Sequence, residues 1–222
     1  MQIAFSRRGV LAGGIALGLI GCSKASGAQA QAETDAGRGR QSRTPSGPID
    51  AKALALIAAA RGQIGVTQTY DPGYSRIAYP GGDVPRERGV CTDVVIRAYR
   101  DAFGIDLQRA VHEDMAAHFA AYPRHWGLKR PDRNIDHRRV PNLERFWQRA
   151  GADLPLPGTP ADWRPGDLFS SLVGGRLPHT GIVSDKVSPR GVPLVIHNIG
   201  RGTQEEEISA VGRMIGRYRW QV

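Results

Sequence analysis

The chain has 222 residues, of which 41% are apolar and 23% charged, and this composition is typical of a globular protein with one substantial core. Lys and Arg number 30 against 21 Asp and Glu, which gives a formal net charge of +9. A basic balance commonly indicates nucleic-acid binding, but the export signal at the N-terminus argues against that partner and favours an anionic cell envelope.

The first 21 residues have the pattern of an export signal. Arg7 and Arg8 form a pair that resembles a twin-arginine (Tat) signal. The apolar run at 10–20 that follows is shorter than the roughly twenty residues of a membrane span, so it is typical of a signal peptide. We therefore expect an exported, periplasmic protein.

Two processing sites compete after this run. The motif Leu19-Ile20-Gly21-Cys22 resembles a bacterial lipobox, in which Cys22 would be lipidated and would anchor the protein to a membrane. The motif Ala28-Gln29-Ala30 fits ordinary signal peptidase cleavage. Because the lipobox directly follows the apolar run, we favour the lipoprotein and keep the second site as the alternative.

Residues 22–48 are rich in small and polar side chains and cannot bury enough apolar surface to fold, which predicts a flexible linker. A single folded domain is expected over 49–222. Asp50 is expected to cap its first helix, which runs to about Gln63 before Gly65 ends it.

A cysteine follows the long Gly-, Pro- and Tyr-rich segment 66–89, which predicts an irregular loop. The apolar residues after Cys91 recur at helical spacing as far as Gly104, so the thiol stands at a helix start. There the helix dipole lowers a thiol pKa and favours a nucleophile. The alternative is a small buried side chain that only packs.

Two more helices are predicted, at 108–121 and from Pro141, with a strongly basic loop at 124–139 between them. This loop is either a solvated face or an anion-binding patch. His112, His118 and His125 are not spaced to place a metal-binding pair on one helix face. We expect no metal and no cofactor.

After Pro155 the pattern changes to short strands separated by turns. The segment 163–169 leads into a first predicted strand, and further strands are predicted from His179, over 192–198 and over 214–220. Helices followed by antiparallel strands predict an α+β domain.

Two histidines fall on neighbouring strands of this pattern. His179 starts one strand and His197 ends the next, so a hairpin brings them together. A cysteine nucleophile needs a base, and the base needs a partner that orients it. Cys91, His179 and His197 are therefore candidate catalytic residues.

The same residues resemble known families. The chain resembles the NlpC-type cell-wall cysteine peptidases at seven places: Gln63-Ile64-Gly65, Tyr70, Cys91, Gly104-Ile105-Asp106-Leu107, Pro165-Gly166-Asp167-Leu168, His179-Thr180-Gly181-Ile182 and Ile196-His197. The chain resembles the exported domain-of-unknown-function family 1287 more closely, over nearly all of 50–222. The motifs that carry this resemblance are GVCTDVV, NIDHRRVPNL, LPHTGIVSD and IHNIG.

For the fold, the resemblance implies a papain-like α+β domain with N-terminal helices packed on a small antiparallel sheet. For the chemistry, it implies Cys91 as nucleophile, His179 as base and His197 as the residue that orients it. The expected reaction is cleavage of an amide bond, in peptidoglycan stem peptides or another anionic envelope polymer, by a monomer. The candidate substrate- or oxyanion-binding residues are Tyr70 (with Tyr74 close by), Thr92, Asp93 and Asn198.

Two features depart from the NlpC-type pattern. Val90 stands where an acid usually precedes the cysteine, and Asp93 lies two residues beyond it. A carboxylate so close raises a thiol pKa unless it points away or pairs with an arginine such as Arg86 or Arg88.

The second departure is that Asn198 adjoins His197. Adjacent strand residues face opposite ways, so only one of the two can face His179, and we choose His197.

Two other functions stay open at this point. One is a non-catalytic lipoprotein that binds envelope polymers or glycans through the basic 124–139 loop. The other is a papain-like acyltransferase that uses the same thiol, because fold alone does not decide the reaction.

Overall fold

The computed structural model describes residues 48–222. The signal peptide, lipidation at Cys22, the alternative cleavage site and nearly all of the linker lie outside the described residues and stay predictions. Within 48–222, no helix is both long enough and apolar enough to cross a membrane.

The described chain folds into helices followed by a sheet. The helices are α1 (Ala51–Arg61), α2 (Cys91–Phe103), α3 (Leu107–His118) and α4 (Val140–Arg149). The strands are β1 (Thr69–Tyr70), β2 (Arg88–Gly89), β3 (Asp153–Leu154), β4 (Leu168–Val173), β5 (Leu177–Val187), β6 (Pro193–Asn198), β7 (Thr203–Glu207) and β8 (Arg213–Tyr218). The predicted α+β class is confirmed.

Helix ends follow the local signals of the sequence. The Asp50 side chain accepts a hydrogen bond from the Lys52 N–H and begins α1, which ends two residues before the predicted Gln63. At the other end of α2, Gly104 takes the left-handed conformation with φ 67° that closes many helices.

The main sheet has six antiparallel strands in the order β3-β8-β4-β5-β6-β7. The sequence predicted four of them and missed β3 and β7. The strand β7 reads Thr-Gln-Glu-Glu-Glu, which lacks the apolar alternation that marks a half-buried strand. It nevertheless pairs with β6 along its whole length, with His197 opposite Gln204.

The core lies between the helices and the sheet. Helix α2 packs on α1, β5 and β6, and α4 covers β5 and β8. The removal of these side chains from water is the main driving force for this packing. Fully buried members of the core are Leu56, Ile57, Val94, Val95, Tyr99, Leu143, Trp147, Leu168, Ile182 and Ile196.

One buried arginine fixes much of the long loop at 66–89. The side chain of Arg97 on α2 is fully buried and pairs with Asp83 at 2.9 Å. It also donates to the carbonyls of Val84 and Arg88 at 3.1 and 2.9 Å. The loop that carries the chain to the cysteine is therefore anchored to the helix that the cysteine begins.

Candidate active site

Cys91 is the first residue of α2 and lies against an open cleft of about 550 Å³. Only 3% of the residue is exposed. The cleft walls are mostly aromatic, proline and arginine side chains, namely Tyr70, Pro72, Tyr74, Trp126, Arg138, Arg139, Pro141 and Pro178. The thiol therefore lies at the wall of an open cleft and is nearly shielded from bulk water.

The thiol is neutral at rest. Burial raises the pKa of Cys91 to about 11, and the charge of Asp93 adds to this, while backbone N–H groups of Thr180, Thr92 and Cys91 itself oppose it. The expectation that the helix dipole would lower this pKa is wrong, because desolvation of the charged form outweighs the favourable backbone dipoles.

Asp93 is locked in place by two sets of hydrogen bonds. One carboxylate oxygen accepts from the Val90 N–H at 2.7 Å and so supplies half of a capping box for α2. Arg138 donates to both oxygens, from Nε at 3.0 Å to Oδ1 and from Nη2 at 2.9 Å to Oδ2. Both side chains are almost fully buried, at 4% and 3% exposed.

Two predictions about Asp93 are corrected by this contact. The arginine that neutralises it is Arg138, whereas Arg86 pairs with Asp101 and Arg88 pairs with Asp71. Asp93 was also a candidate substrate-binding residue, but its oxygens are buried and already bonded. The Asp93 side chain stabilises the start of α2.

His179 and His197 lie side by side, as the hairpin argument predicts. His179 Nε2 is 3.0 Å from His197 Nδ1, and the two rings are nearly perpendicular. Gly181 makes room for this contact, because a Cβ there would lie 2.9 Å from the His197 Cβ and 2.5 Å from the Ile196 carbonyl oxygen.

Both imidazoles are buried and neutral at pH 7. Burial, followed by the neighbouring His197, lowers the pKa of His179 to about 3. The pKa of His197 is also lowered by burial, and the nearby Glu206 carboxylate offsets part of that effect. The backbone N–H of Thr180, the residue after His179, is near enough to the Cys91 sulfur to favour its charged form.

Glu206 extends the histidine pair by one more hydrogen bond. Its Oε1 lies 3.0 Å from His197 Nε2, and Arg201 Nη2 lies 3.6 Å from its other oxygen. The side chain is 28% exposed. Sequence reasoning missed this residue because β7 was not recognised, and the acidic run 205–207 gives no sign of which acid faces inward.

Asn198 faces away from the histidines. It donates to the Gly89 carbonyl at 3.1 Å and accepts from the Gly200 N–H at 3.2 Å, and it is fully buried. Its prediction as a substrate-binding residue is therefore corrected: it ties β6 to the segment that precedes the cysteine. The residue that shares a hydrogen bond with His179 is His197, the one preferred over Asn198.

Tyr70 is the tyrosine at the thiol. Burial, followed by the charge and hydrogen bond of Cys91, raises the pKa of Tyr70 to about 12, so its hydroxyl keeps its proton. Tyr74 instead bonds Asp132 and Asn134 through its hydroxyl. The Thr92 hydroxyl is fully buried without a hydrogen-bond partner among the described residues.

The basic loop at 124–139 is less available to anions than its sequence indicates. Arg138 is bound to Asp93, and Arg139 pairs with Asp136 at 3.2 Å and lies over the Trp126 ring at 4.1 Å. The cations left exposed are Arg124, Lys129, Arg130 and Arg133. Among residues 48–222, no three His, Cys, Asp or Glu side chains are grouped to hold a metal ion.

Comparison with known proteins gives three similarities. The model of a family described as "Domain of unknown function (DUF1287)" matches residues 57–220. The uncharacterized protein YijF of Escherichia coli (strain K12) is 55% identical over 169 residues, which cover 76% of this chain and 82% of that protein. The NlpC/p60 domain of the peptidoglycan hydrolase SagA is 13% identical, with a TM-score of 0.41 over 76% of this chain and 98% of that one.

Proposed function

The chain belongs to the DUF1287 family of domains of unknown function, and for this member we propose a cysteine hydrolase that cleaves an amide bond in the bacterial cell envelope. One observation carries the proposal. The Cys91 thiol at a helix start lies against an open cleft, beside the strand on which a buried histidine is hydrogen-bonded to a second histidine. A structural cysteine needs neither the cleft nor the histidines.

The first step joins proton transfer to attack. Because the thiol pKa is raised to about 11, little thiolate forms at neutral pH, and Cys91 needs a base at the moment it attacks the carbonyl carbon. His179 Nε2 is occupied by His197, so Nδ1 is the nitrogen that accepts the proton. A neutral imidazole is the form that can do so.

The negative charge that develops on the carbonyl oxygen needs donors. The first N–H groups of a helix have no carbonyl one turn back, and those of Cys91 and Thr92 lie near the sulfur, where they favour its charged form. The Tyr70 hydroxyl, which stays protonated, is a third donor. Fixed donors of this kind stabilise the tetrahedral intermediate.

Collapse of that intermediate breaks the C–N bond. His179 returns its proton to the leaving amine, and the acyl group remains on the Cys91 sulfur as a thioester. Water then attacks the thioester, with His179 again as base, and releases the acid product and the thiol. None of these steps requires a metal or a cofactor.

We propose peptidoglycan stem peptides as the substrate. The cleft is open and has a volume of about 550 Å³, and the positive charge of the chain attracts an anionic polymer over long range. The Arg7-Arg8 signal and the lipobox at Cys22 support a periplasmic location with a lipid anchor, in which the protein acts as a monomer.

Digestion of purified peptidoglycan tests the function. We expect the wild type to release peptide fragments, Cys91→Ala to release none, and His179→Ala to be slower by about a thousandfold, the scale of general acid–base catalysis. A free amine added to the reaction separates hydrolysis from acyl transfer. Equal release by wild type and Cys91→Ala, or no release by the wild type from several wall types, contradicts the proposal.

A further inference from the structure

We infer that Glu206 is a positioning residue that fixes which nitrogen of His179 and of His197 carries a proton. The inference rests on the proposed function, because it concerns the base of the same site. Glu206 is on β7 and does not line the cleft, so it would act only through His197.

The hydrogen bonds can be followed from the carboxylate inward. An ionised carboxylate accepts hydrogen bonds and donates none, so His197 Nε2 must carry a proton to bond Glu206 Oε1 at 3.0 Å. A neutral imidazole has one N–H, which leaves His197 Nδ1 as an acceptor. His179 Nε2, 3.0 Å away, must therefore be the donor.

This order leaves His179 Nδ1 without a proton, and that is the form a base for the thiol requires. The bond between the histidines could also run in the opposite direction, from His197 Nδ1 to His179 Nε2. In that case His179 would carry its proton on Nδ1 and could not accept another. The two histidines alone allow either direction of this hydrogen bond, whereas the Glu206 carboxylate permits only the direction from His179 to His197.

The carboxylate also stabilises the cation that forms when His179 takes the thiol proton. His197 is fully buried and His179 nearly so, and burial disfavours a charged imidazole. Glu206 is partly solvated, with Arg201 at 3.6 Å, and it lies one imidazole away from His179. It therefore adds negative charge next to the histidine pair.

Glu207 gives a matched control on the same strand. Consecutive strand residues face opposite ways, and Glu207 pairs with the exposed Arg190 rather than with the histidines. Glu205 is a poorer control because its carboxylate joins Arg61 and Ser184 in a network between α1 and the sheet.

The test is ¹⁵N NMR of the full chain with labelled histidine imidazoles at neutral pH, together with the rate of peptidoglycan release. We expect His179 and His197 of the wild type to be protonated on Nε2 alone. In Glu206→Leu we expect Nδ1–H forms to appear, and kcat to fall about tenfold to a hundredfold with little change in KM, the scale of lost outer partners in comparable sites. Glu206→Asp should restore most of both readouts, and Glu207→Leu should match the wild type.

A wild-type spectrum with the proton of His179 on Nδ1 overturns the inference, even if Glu206→Leu fails to fold. Unchanged protonation in a folded Glu206→Leu overturns it as well. Because the spectra need no substrate, absence of peptidoglycan cleavage by the wild type would contradict the proposed function and leave the test of Glu206 intact.

Discussion

Asp93 and Glu206 are carboxylates on the two sides of the candidate site, Asp93 on the helical side and Glu206 on the sheet side. Asp93 lies two residues from the thiol, is almost fully buried and is held by Arg138. Glu206 is separated from His179 by one imidazole and is partly solvated. A negative charge beside the thiol opposes the thiolate and is neutralised, whereas the same charge behind the base favours its protonation. Placement decides the role of each acid.

The largest effect is expected when the carboxylate of Asp93, on the helical side of the site, is removed. Asp93→Asn leaves Arg138 as a buried charge without its counter-ion, and we expect a loss of about 3–5 kcal/mol in the free energy of unfolding, measured by urea titration. Asp101→Asn is the control, since Asp101 pairs with Arg86 at the surface and should cost at most about 1 kcal/mol. Equal losses of unfolding free energy in the two variants would show that the Asp93–Arg138 ion pair stabilises the fold no more than a surface ion pair does.

A smaller loss is expected on the sheet side, where Gly181 leaves space for His197. A methyl group in Gly181→Ala would meet the Ile196 carbonyl oxygen and the His197 Cβ, and we expect a cost of about 1–3 kcal/mol in unfolding free energy. Gly62→Ala, whose added Cβ meets nothing closer than 3.5 Å, should be nearly neutral. A stable Gly181→Ala protein with unchanged histidine spectra would contradict the close fit.

The smallest effect expected, for each histidine and each pH unit, is the pH dependence of the unfolding free energy. Burial lowers the pKa of His179 and of His137 to about 3, below the usual 6.5 of the unfolded chain. The unfolded state therefore binds more protons between these values, and stability falls as pH drops below 6.5, by about 1.4 kcal/mol per pH unit for each histidine. Above pH 6.5 these groups contribute no slope.

Urea titrations between pH 5 and 6.5 measure this slope. The variant His137→Gln should reduce this slope by the contribution of one histidine, about 1.4 kcal/mol per pH unit. A wild-type protein that is equally stable at pH 5 and 6.5 would mean that the buried histidines are not held neutral.

The parts of this site that sequence predicts are those with local signals. The start of α2 at Cys91 follows from apolar spacing and from the loop before it. The contact of His179 with His197 follows from the geometry of a hairpin between two neighbouring strands. The order of helices and strands gives the fold class for the same reason.

The rest depends on contacts between distant parts of the chain. Arg138 is 45 residues from Asp93, and nearer arginines were equally plausible partners by sequence. Glu206 lies in a strand whose sequence resembles an acidic loop. The thiol pKa was predicted in the wrong direction because the helix dipole can be read from local sequence, whereas burial depends on the packed fold.

The most direct test of the catalytic role of Cys91 is detection of its acyl adduct. Wild-type protein is mixed with peptidoglycan fragments, quenched in acid at short times, and the peptide that contains Cys91 is weighed by mass spectrometry. The proposed mechanism predicts an added acyl mass on that cysteine, which Cys91→Ser lacks and excess hydroxylamine removes. Substrate turnover without any adduct on Cys91, and at the same rate in Cys91→Ala, would contradict it.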